Sequence, residues 1–226
     1  MTSDAVPGAN RRVIARHMTE LLDLRERREL CDLFDQLGPA APTMCEGWTN
    51  FDLAAHLVVR ERSLRGAPGI LLGDKVKALA RQTAAAEGRE RAKGFPAVVQ
   101  LVRSGPPLAT RFVSKWFNLN EFAIHHEDVR RANAMGPRTD RPDLQDGLWA
   151  SYKTTARHTP GLPKDVILEL TRSAGDTITV GKHGPTVIVT GDPLELGLFI
   201  FGRRTVAKVD LSGDPSAVAK LGPPKS

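Results

Sequence analysis

Between Arg12 and Leu37 the apolar residues Val13, Met18, Leu21, Leu22, Leu24, Leu30, Leu33, Phe34 and Leu37 return at helical spacing, and the run stops at Gly38-Pro39. The spacing predicts one long helix with an apolar side, and such a helix is stable only when other elements cover that side. Further helical stretches follow. Trp48 leads into Thr49, a predicted N-cap with Asp52 three residues on, and a second helix runs through Leu53, Leu57 and Val58. A Gly/Pro break at Gly66 to Gly69 precedes an Ala/Arg/Lys/Glu-rich segment, Asp74 to Lys93, that favours helix by intrinsic propensity. A short helix is predicted over Pro96 to Arg103, and a long one from Pro106-Pro107 to Asn133, its apolar side marked by Leu108, Phe112, Trp116, Leu119, Phe122, Ala123 and Val129.

The texture changes after Gly136-Pro137. Leu144 to Arg157 still reads as helix, but Val166 to Leu170, Ile178 to Val180 and Thr186 to Val189 are short β-type runs parted by Gly, Asp and His. A helix over Pro193 to Phe201 and an edge strand over Thr205 to Leu211 are expected next, before a Pro/Gly/Lys tail without structure. The expected class is α+β: a helical bundle over residues 1–140 and a small α/β domain over 141–226, with the boundary inside residues 137–162.

The chain has 226 residues, 41% hydrophobic and 26% charged, a balance that excludes wholesale disorder and a fibrous architecture. Its longest apolar stretches, such as Leu194 to Phe201, fall short of the roughly 20 residues of a membrane span. Met1 to Asn10 lacks an apolar core with a cleavage site, so a cytoplasmic protein is expected, with Cys31 and Cys45 as free thiols. The pI of about 9.6 raises the question of nucleic acid. Yet Arg25, Arg27 and Arg28 alternate with Glu20, Asp23, Glu26 and Glu29, the pattern of a solvated helix face. A net charge of +6 spread this way suits a small anionic substrate as well as it suits DNA, and no compact recognition helix is present. No nucleic-acid or membrane partner is expected; the oligomeric state is left open.

The residues that carry chemistry lie on the second and the later long helix. Glu121 and His125 are four apart, so on a helix a carboxylate and an imidazole rise side by side and can share one ion. Two ligands rarely hold zinc, and His56, on an otherwise apolar stretch of the second helix, is the candidate third. Asp52, one turn before His56, is expected to hold the ring nitrogen turned away from the metal, and Asn118 to support Glu121 in the same way. A Glu and a His at this spacing are more often an ordinary surface pair, so the assignment depends on all three converging. His126-Glu127 resembles the start of a zincin helix, but Arg130 stands where the second His would be needed. His126, Glu127 and Asp128 are instead expected to fix the helix to its neighbours, with Arg130 and Arg131. His17, His158 and His183 are weaker candidates.

Two motifs, Cys45-Glu46-Gly47-Trp48-Thr49 with Asp52-Leu53-Ala54-Ala55-His56-Leu57, and Glu121-Phe122-Ala123-Ile124-His125-His126-Glu127-Asp128-Val129-Arg130-Arg131, resemble the mycothiol-dependent maleylpyruvate isomerase family within the DinB-like metal-binding superfamily. The resemblance implies a DinB-like four-helix bundle whose first His and Glu-x-x-x-His pair hold zinc or another divalent metal, here His56, Glu121 and His125. It also implies a sterol-carrier-like C-terminal domain. An Arg of that domain acts at the active site of the family's isomerases, which makes Arg203 or Arg204 the candidate here. Members act on small thiols and electrophiles or are known only as metal-binding proteins, and the chain looks closest to the latter, actinobacterial branch.

Two neutral imidazoles and one carboxylate leave a zinc site with a net charge of about +1 and an open position, which favours bound hydroxide or thiolate. The leading expectation is therefore a thiol-dependent isomerase or transferase, with mycothiol as thiol cosubstrate, acting on a small electrophilic or anionic substrate whose carboxylate is held by a C-terminal Arg. The rival is a metal-binding module without catalysis, whose C-terminal domain binds an apolar ligand or a partner.

Overall fold

The structure is a computed structural model that describes residues 8–62, 87–106, 118–158, 165–173 and 175–221, with side chains of the first helix from residue 22 onward. It is an α+β chain that divides into two compact units, Leu24–Pro137 and Arg138–Ser226 together with the residues up to Asp23. The backbone helix α1, Gly8–Leu37, begins four residues before the sequence predicts and ends where it predicts, at Gly38.

In the helical unit α1 is followed by α2, Asn50–Arg62, α3, Phe95–Ser104, and α4, Asn118–Ala132. Residues 74–86 and 107–117, where the sequence predicts the bulk of one helix and the start of another, lie outside the described residues; 87–91 are helical. The apolar stripes meet in one core in which Leu30, Phe34, Leu53, Leu57, Val98 and Phe122 are inaccessible to solvent. Phe95 fixes the meeting of three segments, with the rings of Phe34 and Phe51 edge-on to it at 6.2 and 5.4 Å between centroids.

Charges are buried in this core, and they are paired as burial requires. Arg27 of α1 forks onto Glu61 of α2, one bond measuring 2.6 Å, while donating to the Val102 carbonyl at 2.9 Å and lying over the Phe122 ring. Glu26 accepts from His126 at 3.2 Å, and fully buried Glu127 accepts from Arg131 at 2.6 Å. His126 thus ties α4 to α1 and Asp128 ties it to the Cys45 thiol, as expected, whereas Glu127 pairs with Arg131 inside its own helix.

The loop from Gly38 to Thr49 is tied down by its backbone. Asn50 donates to Ala41, Thr43 to Trp48 and Trp48 to Cys45, and the Met44 amide reaches the Asp128 carbonyl of α4 at 3.0 Å. Gly47, at φ +74, takes the left-handed turn that places Trp48 and starts α2.

In the second unit α5, Pro142–Thr155, ends in a single turn over Ala156–His158. The sheet has strand order β2-β1-β3-β4, with β1 at Ile167–Thr171, β2 at Thr177–Val180, β3 at Thr186–Thr190 and β4 at Asp210–Gly213. β1 runs antiparallel to β2 and parallel to β3, and β3 antiparallel to β4. Leu168 and Leu170 stand in register with Val187 and Val189, and all four are buried on one face. Every residue of α6, Pro193–Ile200, is buried, and α6 packs on α5, where the Gln145 side chain accepts from the Leu194 amide at 2.8 Å.

Two expectations for the tail need correction. The predicted strand Thr205 to Leu211 begins only at Asp210, because the Val206 and Ala207 amides are both taken by the Arg203 carbonyl and cannot enter a ladder. Where an unstructured tail was expected, α7 forms over Pro215–Leu221, its first turn capped by Asp214, which accepts from the Ala217 amide at 2.9 Å. Residues 222–226 lie outside the described residues. Among the described residues no helix is long and apolar enough to cross a membrane.

Candidate metal centre

α2 and α4 bring His56, Glu121 and His125 together, with one ligand atom of each within 4.8 Å of the others. All contacts converge on a single carboxylate oxygen. Glu121 Oε1 lies 3.3 Å from His125 Nε2 and 3.8 Å from His56 Nε2, and the two imidazoles meet edge to face at 5.9 Å. The opening is on the side of His56 and Glu121, whose side chains are 27% and 22% exposed against 10% for His125.

Local sequence explains the placement. Thr49 caps α2 as predicted, and the Asp52 carboxylate accepts from both the Thr49 amide, 2.9 Å, and its hydroxyl, 2.6 Å, in a reciprocal capping arrangement. His56 then stands in the second turn of a well-formed helix, with the Trp48 ring 5.0 Å from its own. Asp52 is thereby committed to Thr49 and to Arg91, at 2.6 Å, and does not support His56 as the sequence suggested. That role falls to Glu87, 3.2 Å from His56 Nδ1. On the other imidazole Asp128 accepts from Nδ1 at 2.8 Å. Both rings are thus held by a carboxylate on the nitrogen turned away from Glu121, the arrangement that fixes the tautomer of a metal-binding histidine.

Asn118, expected to support Glu121 directly, acts through a residue the sequence reading did not single out. Arg60 Nε lies 3.0 Å from Glu121 Oε1, and Arg60 Nη1 donates to Asn118 Oδ1 at 3.3 Å. Spacing could have revealed Arg60, four residues after His56 on the same face of α2. No comparable signal marks Glu87, which stands in an Ala/Arg/Lys-rich stretch with no positional hint toward His56.

The electrostatics follow from these contacts. Burial alone would push the Glu121 carboxyl up, but the Arg60 guanidinium and hydrogen bonds from both imidazoles hold it well below the ordinary carboxylate range. Burial would lower His125, yet hydrogen bonds with Asp128, Cys45 and Glu121 raise it well above the usual imidazole value. His56 is also raised, burial being outweighed by Glu121 and Glu87. Two nitrogens and one oxygen, with their outer atoms satisfied, fit a divalent cation such as zinc.

Two other groups of potential ligands occur among the described residues: Cys45, His125 and Asp128, and Glu26, Glu29 and His126. The first shares His125, and the Cys45 thiol donates to Asp128 Oδ2 at 3.4 Å. Both cysteines are free, as expected. The side chains of His17 and His158 lie outside the described residues, and His183 is exposed. Arg203 and Arg204 belong to the second unit. Arg203 Nη1 donates to the Phe201 carbonyl at 2.7 Å; Arg204 Nη1 donates to the Leu221 carbonyl at 2.6 Å, its guanidinium over the Phe199 ring and its pKa lowered by burial.

A helical unit that brings two histidines and a glutamate together, followed in sequence by a small mixed sheet, defines an α+β protein with a candidate metal site. The chain belongs to the family of the mycothiol maleylpyruvate isomerase N-terminal domain, whose model matches residues 23–178. A crystal structure of the mycothiol-dependent maleylpyruvate isomerase shares the fold at a TM-score of 0.50 and 16% identity, over 94% of this chain and 96% of that one. A histidine-to-alanine mutant of that isomerase aligns over the same shares at 16% identity with a TM-score of 0.47. No curated protein matches the sequence.

Proposed function

We propose that the chain is a divalent-metal-dependent enzyme that uses a low-molecular-weight thiol, mycothiol by kinship with its family, to isomerise or conjugate a small electrophilic substrate. The observation that carries the reading is the convergence of His56, Glu121 and His125 onto one point, with ligand atoms within 4.8 Å. A bound divalent ion, zinc being the best match to this donor set, supplies the positive charge that keeps a thiol in its reactive thiolate form at neutral pH.

The protein's own groups do the rest. Glu87 and Asp128 keep both imidazoles turned toward Glu121, so the donor atoms are preorganised. Trp48 walls the His56 side, and the partial exposure of His56 and Glu121 leaves a way in for thiol and substrate. Arg203 or Arg204 holding a substrate carboxylate is a separate part of the proposal, resting on the family resemblance, and single replacements by Gln with KM as the readout decide it.

The experiment is turnover of mycothiol with maleylpyruvate, and with a generic electrophile, by the zinc-loaded chain, the chelated chain and His56→Ala. A rate that needs both the metal and His56 is expected. Zinc uptake without metal-dependent thiol consumption ends the enzyme reading and leaves a metal-binding module, in which the ion changes stability and no reaction.

A further inference from the structure

The contacts of Arg60 go beyond support of Glu121. Its side chain is 13% exposed, at the rim of the centre, and it uses Nε on Glu121 Oε1 and Nη1 on Asn118 Oδ1. Guanidinium carries five N–H donors in a planar fork, so Nη2 and the outer edge remain available, and Nη2 is not among the buried polar atoms lacking a partner. The fork therefore reaches solvent beside His56 and Glu121, the more open side of the centre.

Charge makes this placement selective. With the histidines neutral, the carboxylates near the metal ligands are Glu121, Glu87 and Asp128; Glu87 and Asp128 lie behind the two rings, on their Nδ1 nitrogens. On the front, Glu121 is the carboxylate that Arg60 pairs with among the described residues. Once Glu121 shares its oxygen with a divalent cation, its hold on Arg60 weakens, and two positive groups stand side by side at the mouth. An anion that bridges them relieves that repulsion, and a carboxylate matches the fork in shape as well as charge.

We infer that Arg60 is the anion-binding arm of this centre, selecting substrates that carry a carboxylate next to the reacting carbons. The inference rests on the metal-centre reading of His56, Glu121 and His125, which it refines by naming a residue of the helical unit that reads the substrate carboxylate.

The test uses the full-length chain loaded with zinc and titrated calorimetrically with succinate, a small dicarboxylate, and with succinamide, its neutral analogue, in wild type, Arg60→Gln and Arg60→Lys. Arg60→Gln is expected to hold as much zinc as wild type, to bind succinate at least tenfold more weakly and to leave succinamide unchanged. Arg60→Lys, which keeps the charge but loses the fork, is expected at least threefold weaker for succinate. If Arg60→Gln does not melt cooperatively, Arg60→Lys alone decides, and succinate affinity equal to wild type overturns the inference. Equal succinate binding in wild type and Arg60→Gln, or no succinate binding by wild type, also overturns it while leaving the metal centre standing. Loss of zinc from Arg60→Gln does so too, by making Arg60 a support for Glu121 only. Failure of wild type to take up zinc removes the metal centre itself, and the arm with it.

Discussion

Glu121 Oε1 receives two imidazoles and a guanidinium at once, so in the metal-free protein protons do the work that a cation would do. This sets a sign for pH. His56 and His125 are raised above the ordinary 6.5, so the stability they contribute is fully present below that value and is lost as pH rises through their folded values. A metal needs the same nitrogens deprotonated. The rise in melting temperature produced by zinc should therefore grow from pH 6 to pH 8; a rise that shrinks over this range contradicts protonated imidazoles as the competitors. Glu121 behaves oppositely, its contribution present above the ordinary 4.5 and lost as pH falls through its depressed value. Two substitutions follow. His56→Ala should retain almost no zinc after dialysis, read by elemental analysis. Glu87→Gln should still fold but bind zinc about 10- to 100-fold more weakly, the usual cost of losing a histidine's outer partner. The closeness of Glu121 and His125 was legible because four-residue spacing on a helix is a local fact. Asp52 was misread because a carboxylate in the first turn of a helix has a stronger claim on it, the cap hydroxyl and amide of Thr49. Glu87 could not be read at all, since its approach to His56 spans 31 positions and depends on tertiary packing.

At the scale of elements, α2 matters most, for it carries both His56 and Arg60. Thr49→Ala removes the hydroxyl bond to Asp52 and should cost about 1 kcal/mol, seen as a lower denaturation midpoint with zinc stoichiometry unchanged. Phe122, fully buried on α4 beneath Arg27, should cost about 3–5 kcal/mol on replacement by Ala. Among the described residues the helices up to α6 and the first three strands were legible because the periods of 3.6 and 2 are strong over their lengths. β4 was displaced by a turn whose amides bond to the Arg203 carbonyl, which no alternation of residues announces. α7 did carry a signal, Asp214-Pro215, a capping residue followed by the favoured first residue of a helix.

For the whole molecule, two units mean that one melting curve need not report one transition. The helical unit, which contains the proposed ligands, is where zinc should act. Held at 100 times its dissociation constant, zinc adds about 2.7 kcal/mol there by mass action, and a transition that moves should be the one reported by Trp48. The buried pairs of this unit have a consequence of another kind. The chain carries a net +6, and dissolved salt quiets the mutual repulsion of its outer charges within a Debye length of about 8 Å at physiological strength. Arg27 with Glu61, and Glu127 with Arg131, are shielded from those ions by the side chains around them. Ionic strength can therefore relax the periphery without loosening the interior, and added sodium chloride should make this basic protein harder to unfold.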